Sequence, residues 1–401
     1  MKSLYRPLFA LILVPPLPAA EVFPLRDGDR VVLVGSTLIE REQRYGYWET
    51  ALTRHYPDES ITFRNLGWSG DTVFGDARAG FGTQADGFRR LKDHVLALKP
   101  TVIILGYGTN ESFNGPKGLP RFVKGLETLL DTFAPTKARI VLLSPPKQER
   151  LRPPLPDPTE NNKNLRLYAD AIRDVAKKRG HRFVDLYECL SKESYLLTDN
   201  GIHLSAWGYW RSATLLRQAL NPAAGEGTIE LNAQGEVEKA ENARVVKFAA
   251  TPLRFQVTTS LLPLAPAPDD APLPVDGTDL STLYVKINDL PAGEYKLTID
   301  GETVAKADER VWAHGAWVFS KPDLKQAEKL RQSILAKNRL YFYRWRPENE
   351  TYLFGFRKHE QGQNAREIPQ FDPLIAEKEK EIAKLRVPVA HTYELKAEKK
   401  P

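Results

Sequence analysis

The chain has 401 residues, more than one small hydrophobic core needs and enough for about two domains with extensions. Its single cysteine excludes an intrachain disulfide, so the fold must rely on its core. The net charge of +6 comes from the C-terminal part of the chain, because residues 321–401 hold 18 Lys and Arg against 12 Asp and Glu. These charges alternate in sign, which favours a solvated helical face over a surface for an acidic polymer or a membrane. The absence of a nucleic-acid-binding motif argues against a nucleic-acid partner.

Residues 1–20 have the pattern of a secretory signal peptide. Lys2 and Arg6 form its basic region, a short apolar run follows, and small residues lead to a cleavage site near Ala20. The apolar run is too short to span a bilayer, and no later run reaches spanning length. We therefore expect a secreted or periplasmic bacterial protein without a stable membrane span.

Five short segments that predict strands alternate with segments of helical periodicity in the first half of the chain. The first, Val31–Val34, is rich in β-branched residues and predicts a strand buried on both faces. The others are Ile61–Asn65, Thr101–Leu105, Ile140–Leu143 and Phe183–Leu186. This alternation predicts an α/β fold with a doubly wound, five-stranded parallel sheet and right-handed crossovers.

A change in composition after these elements predicts a domain boundary. Residues 21–225 would form the α/β domain. Residues 226–320 would form a small β-rich module, because Leu283–Ile287 and Tyr295–Ile299 alternate in polarity and are bounded by turn residues. Residues 321–401 would form a helical C-terminal extension that is basic and rich in aromatic residues.

One segment of the extension, Asn338–Pro369, is dense in aromatic residues, arginine and asparagine. Aromatic side chains are mostly buried, which favours a helical cap packed on the α/β domain. The alternatives are a carbohydrate-binding surface, or a lid that brings His359 or Glu360 near a site. The spacing of the residues does not decide between them.

Polar loops follow three of the predicted strands, and a fourth polar segment follows the last. They are Gly35–Thr37, Gly67–Thr72, Gly106–Glu111 and Thr198–Leu204. Ligands of open α/β sheets bind at the carboxyl ends of the strands, so we expect these segments to converge there. A hydroxyl at a strand-to-helix turn suits a nucleophile, although Ser36 or Thr37 would serve equally as a helix cap. A lone histidine such as His203 is usually a surface or packing residue, but here it accompanies a hydroxyl, glycine loops and an amide.

Together, and in this order, these segments resemble the sequence blocks of the SGNH hydrolases, also called GDSL-type esterases. The resemblance covers about residues 28–220. Its best-matching parts are Asn65–Thr72 for the second block, Gly108–Glu111 for the third, and Gly201–Leu204 with Gly208 and Tyr209 for the last.

The resemblance implies a flavodoxin-like sheet and acyl transfer by a hydroxyl nucleophile. By the same resemblance, the Gly70 N–H and the Asn110 side chain form the oxyanion hole, and His203 is the base. We expect no cofactor. The sequence implies no metal either, because no pair of histidines has ligand spacing.

Two positions depart from the family pattern. Thr37 stands at the position of the nucleophilic serine, with Ser36 before it, so Ser36 is the nucleophile if the turn is shifted by one residue. Asn200 stands at the position of the aspartate that orients the histidine, with Asp199 one residue earlier. A threonine is restricted at χ1. An asparagine orients a histidine without stabilising the imidazolium by charge.

These residues predict a secreted esterase that acts on a small-molecule or polysaccharide ester, with acetyl esters of carbohydrate as one candidate class. The departures at Thr37 and Asn200 support an alternative, in which the same scaffold binds a carbohydrate or a protein partner without catalysis.

Overall fold

The computed structural model describes residues 22–221, 227–272, 283–360, 362 and 364–398. The expected signal peptide, residues 1–20, lies outside the described residues. Within them, no helix is both long enough and apolar enough to cross a membrane.

A five-stranded sheet forms the centre of the first half of the chain. Its strands are β1 (Arg30–Gly35), β2 (Thr62–Asn65), β3 (Val102–Gly106), β4 (Arg139–Leu143) and β5 (Arg182–Val184). They are ordered β2-β1-β3-β4-β5, and all paired strands run parallel. The predicted doubly wound parallel sheet is confirmed. Winding reverses between β1 and β3, which is where such sheets bind ligands.

The three inner strands, β1, β3 and β4, are apolar on both faces because helices cover both. Alternate residues of β1 enter opposite hydrophobic clusters: Val31 and Leu33 in one, Val32 and Val34 in the other. The covering helices are α1 (Thr37–Tyr45), α2 (Tyr47–His55), α3 (Gln84–Ala97), α4 (Gly115–Phe133), α5 (Thr159–Arg179), α6 (Leu186–Leu190) and α7 (Ala206–Leu220). Short 3-10 helices span Asp76–Arg78, Glu111–Asn114, Ala134–Thr136 and Asn364–Gln370.

The β-rich module consists of two sheets that share one hydrophobic cluster. Its strands are β6 (Gly227–Asn232), β7 (Val237–Glu241), β8 (Ala243–Ala250), β9 (Leu253–Thr259), β10 (Leu283–Asn288), β11 (Glu294–Ile299), β12 (Glu302–Asp308), β13 (Ala316–Val318) and β14 (His391–Ala397), with the short helix α8 (Glu309–His314). The sheet orders are β13-β10-β6-β7 and β12-β11-β14-β9-β8. Strand β14 belongs to the extension, so the extension supplies a strand as well as helices.

The helices of the extension pack on the α/β domain. They are α9 (Lys321–Trp345), α10 (Glu350–Leu353) and α11 (Phe371–Leu385). Tyr341 and Ile375 enter the same hydrophobic cluster as Val32 and Val34 of β1. In addition, Lys337 Nζ lies 2.6 Å from Glu49 Oε1 on α2, and both side chains are buried. This part of the extension is therefore continuous with the core of the α/β domain.

Replacing Lys337 tests how strongly this contact holds the extension. Lys337→Ala leaves the Glu49 carboxylate buried without its cation, and we expect a loss of about 3–5 kcal/mol in the free energy of unfolding. Lys378→Ala is the matched control, because Lys378 forms an exposed pair with Glu381 and its loss should cost less than about 1 kcal/mol. Urea denaturation measures both. Equal unfolding midpoints for the two variants would contradict the prediction.

A buried histidine connects the β-rich module to α9. His391 Nδ1 lies 2.6 Å from Asp300 Oδ2, and its Nε2 lies 3.1 Å from Asp323 Oδ1. Hydrogen bonding to Asp323 is the first of the causes that raise the pKa of His391 from 6.5 to about 9, and Asp300 adds to it. The folded state therefore binds this proton more tightly than the unfolded chain does.

The raised pKa of His391 predicts a pH-dependent stability. Its contribution is fully present below about pH 6.5 and is lost as the pH rises through about 9. We expect His391→Gln to lower the melting temperature at about pH 6 and to have a much smaller effect at about pH 10. His359→Gln, at an exposed position, is the control. If His391→Gln lowered the melting temperature equally at both pH values, protonated His391 would not be the source of the stability.

Candidate active site

Thr37 occupies the turn from β1 into α1. Gly35 ends the strand, Ser36 is the N-cap residue, and Thr37 is the first residue of the helix. The Ser36 side chain makes no capping hydrogen bond, and the residue is only 2% exposed. Thr37 is half-buried, so its hydroxyl is the more accessible of the two. The positive end of the α1 dipole lies beside it, which favours negative charge there.

The loop after β2 brings Gly70 to the Thr37 hydroxyl. Gly70 N–H donates to Thr37 Oγ1 at 3.2 Å. Gly70 has a φ of +77°, in the left-handed region that favours glycine. Trp68 N–H donates to the carbonyl of Gly35 at 3.0 Å, and Ser69 N–H donates to Glu40 Oε2 at 2.6 Å. Successive N–H groups of this loop thus face the end of β1 and the first turn of α1.

The loop after β3 brings Asn110 to the loop that carries Gly70. Asn110 Nδ2 donates to the carbonyl of Asp71 at 2.7 Å. An amide has two N–H donors, so this bond leaves a second for an oxyanion. The Asp71 side chain is fixed by two hydrogen bonds, because its Oδ2 accepts from Arg78 Nε at 2.6 Å and from the Tyr107 hydroxyl at 3.0 Å.

Glu111 connects the same two loops. Its carboxylate oxygens accept from Val73 N–H and from Gly108 N–H, each at 2.9 Å. Burial raises the pKa of Glu111 to about 7, against the lowering effect of these backbone hydrogen bonds. Glu111 therefore fixes the loop after β2 against the loop after β3.

Asn200, and not Asp199, contacts the histidine. Asn200 Oδ1 accepts from the N–H groups of Ile202 and His203, at 3.2 and 3.0 Å. These two bonds fix the orientation of the amide, so the group 3.1 Å from His203 Nδ1 is the Asn200 NH₂. Nδ1 then accepts a hydrogen bond, and a neutral His203 carries its proton on Nε2. That tautomer is the opposite of the one a triad base requires.

Asp199 instead pairs with Arg41 of α1. Arg41 lies one helical turn beyond Thr37, so this ion pair holds the segment that carries His203 against α1. Burial is the largest cause that lowers the pKa of His203, and the charge of Arg41 adds to it while Asp199 opposes it. His203 is therefore predominantly neutral at neutral pH.

The sequence of this region matches a known family. Residues 31–211 match the GDSL-like Lipase/Acylhydrolase family. They form a GDSL-like lipase/acylhydrolase domain. No curated protein matches the chain.

The GDSL-like domain and the parts that follow it share their fold with a solved structure. That structure is BT4096, a gut microbial diltiazem-metabolizing enzyme, with a TM-score of 0.72, 16% identity, and coverage of 94% of this chain and 99% of that one. Two further structures align with 49% of this chain, each at a TM-score of 0.39. They are Axe2, an acetylxylan esterase from Geobacillus stearothermophilus (19% identity, 95% of that chain), and LAE5, an alpha/beta hydrolase from the metagenome of Lake Arreo, Spain (22% identity, 98% of that chain).

Several residues that hold the site of the GDSL-like domain were not predicted from the sequence. Glu149, in the loop after β4, accepts from the N–H groups of Leu197 and Thr198, and its own N–H donates to the carbonyl of Gly201. Glu149 therefore fixes the segment that carries His203. Like Arg41 and Glu40, it lies outside the family blocks, and only its contacts in the fold reveal its role.

Replacing Asn200 tests the role of the histidine tautomer. Asn200→Asp places an acceptor and a negative charge at Nδ1, which moves the proton to Nδ1 and frees Nε2 as a base. We expect ester turnover to rise by about 10²-fold or more. We also expect the acid limb of the pH–rate profile to move to higher pH, because the new charge raises the pKa of His203.

Asn200→Ala is the control for this change, since it removes the amide without adding charge and should not raise turnover. If Asn200→Asp changes little and Asp199→Ala abolishes turnover, Asp199 is the triad acid instead.

Proposed function

We propose that the GDSL-like domain hydrolyses carboxylic esters by acyl transfer to the hydroxyl of Thr37. The 3.2 Å contact between Gly70 N–H and Thr37 Oγ1 carries this proposal, because it places a nucleophile beside an oxyanion donor. The match to a family of lipases and acylhydrolases supports ester hydrolysis as the general chemistry.

In the proposed reaction, Thr37 Oγ1 attacks the ester carbonyl while His203 Nε2 accepts the hydroxyl proton. Gly70 N–H, Asn110 Nδ2 and the N–H of Thr37 stabilise the oxyanion. The bond to the alcohol then breaks, and His203 returns the proton to the leaving oxygen. A water molecule, deprotonated by His203, releases the acyl group and restores the Thr37 hydroxyl. His203 must first take the tautomer protonated on Nδ1, which the Asn200 amide opposes, so we expect slow turnover.

We further propose that the substrate is a small-molecule or polysaccharide ester met outside the cytoplasm, with acetyl esters of carbohydrate as the leading class. The secretory pattern of residues 1–20 and the β-rich module beside the catalytic domain support this.

The second candidate function is binding of a carbohydrate or a protein partner without catalysis. One observation favours it: the Asn200 NH₂ faces His203 Nδ1, and the resulting tautomer leaves the histidine without a free acceptor toward Thr37. A binding protein would keep the hydrogen-bond donors of Gly70 and Asn110 while losing the base.

Hydrolysis of p-nitrophenyl acetate separates the two functions. Thr37→Ser should preserve or raise the rate, because serine lacks the methyl group that restricts χ1. Thr37→Ala and His203→Ala should reduce it to background, whereas Ser36→Ala should have a smaller effect, through the turn alone. An inactive Ser36→Ala variant together with an active Thr37→Ala variant would identify Ser36 as the nucleophile. Equal rates for wild type, Thr37→Ala and His203→Ala would contradict the esterase function and favour binding without catalysis.

A further inference from the structure

The C-terminal extension reaches the loop that carries Gly70. Arg346 directly follows α9, and its Nη1 lies 2.8 Å from Glu40 Oε2. Its guanidinium carbon also lies 3.7 Å from the centroid of the Trp68 ring. The preceding residue, Trp345, meets Trp68 edge to face, with ring centroids 5.8 Å apart. Two neighbouring residues of the extension therefore cover the loop that supplies an oxyanion donor.

Glu40 is the point where the extension and this loop meet. The same carboxylate oxygen, Oε2, accepts from Ser69 N–H at 2.6 Å and from Arg346 Nη1 at 2.8 Å. Glu40 is only 7% exposed, so water screens the pair weakly and the interaction is stronger than at an open surface. Ser69 directly precedes Gly70, so a displaced Glu40 carboxylate would release the peptide next to the oxyanion donor.

Trp68 is held by two guanidinium groups. Arg346 lies against the ring, and the fully buried Arg78 lies 5.5 Å from its centroid. Arg78 also bonds to Asp71, which follows Gly70. Arg78 of the domain thus contacts both ends of the loop Trp68–Asp71, and Arg346 of the extension contacts its Trp68 end.

We propose that Arg346 is a positioning residue for catalysis: through Glu40 and Trp68 it fixes the Gly70 N–H in the orientation that stabilises the oxyanion. This inference rests on the proposed esterase function. It gives the extension a role in the site that differs from a lid, because Arg346 acts through its contacts with Glu40 and Trp68. His359 and Glu360 are exposed, and Glu360 pairs with Arg357.

The geometry requires an arginine at this position. A planar guanidinium can stack on Trp68 and bond to Glu40 at the same time, whereas a lysine ammonium supplies only a point charge. Arg346→Lys should therefore restore part of what Arg346→Ala loses.

Steady-state kinetics on p-nitrophenyl acetate test the inference, with Arg344→Ala as the matched control. Arg344 lies two residues earlier on α9 and pairs with Asp372 of α11. We expect Arg346→Ala to lower kcat by about 10- to 100-fold with KM changed less than about twofold, because a misplaced donor weakens transition-state binding. Arg346→Lys should be intermediate, and Arg344→Ala should match wild type.

Hydrogen–deuterium exchange over residues 66–72 provides a readout that does not need turnover. Arg346→Ala should accelerate exchange in this segment, and Arg344→Ala should leave it unchanged. Equal kcat for Arg346→Ala and Arg344→Ala would overturn the inference while leaving the esterase function intact. If wild type shows no esterase activity, the proposed function fails, and exchange alone decides whether Arg346 fixes the loop; unchanged exchange in Arg346→Ala would then refute it.

Discussion

The close approach of α1 to the strand ends and the Gly70 loop is the constraint on which the site depends. A Cβ on Gly35 would lie 2.3 Å from the carbonyl oxygen of Gly106, and a Cβ on Gly67 would lie 2.2 Å from the backbone nitrogen of Glu40. Both are closer than atoms can pack, so only glycine fits at either position. Because the backbones meet here without side chains between them, the Thr37 hydroxyl and the Gly70 N–H reach hydrogen-bond distance.

The central sheet could be predicted from the sequence because β1, β3 and β4 are apolar on both faces and segments of helical periodicity separate the strands. Strand β14 could not, although its alternate residues His391, Tyr393 and Leu395 are buried as a half-buried strand requires. It lies in a lysine-rich segment that follows helices, and its partners β9 and β11 are far earlier in the chain. Local patterns carry no information on such distant pairing.

The candidate site, too, could be predicted from the sequence only in part. Gly70, Asn110 and His203 lie in motifs whose order along the chain indicated the family. The choice between Asp199 and Asn200 needed the structure, because adjacent residues point in different directions. The tight turn formed by Asn200 Oδ1 directs its amide to the histidine, whereas Asp199 faces Arg41. Contacts between distant segments, such as those of Glu149 with the segment that carries His203, produce no sequence pattern in either segment alone.

The position of β14 also determines when the five-stranded sheet of the β-rich module can form during synthesis. In the sheet β12-β11-β14-β9-β8, β14 lies between β9 and β11, so the sheet remains two pieces until residues 391–397 have been made. The parallel sheet needs no residue beyond Val184, and N-terminal units generally fold first on the ribosome. The nascent chain therefore carries a finished central sheet beside a module with two open strand edges, the kind of edge that pairs with other chains. Strand β14 closes both edges at once.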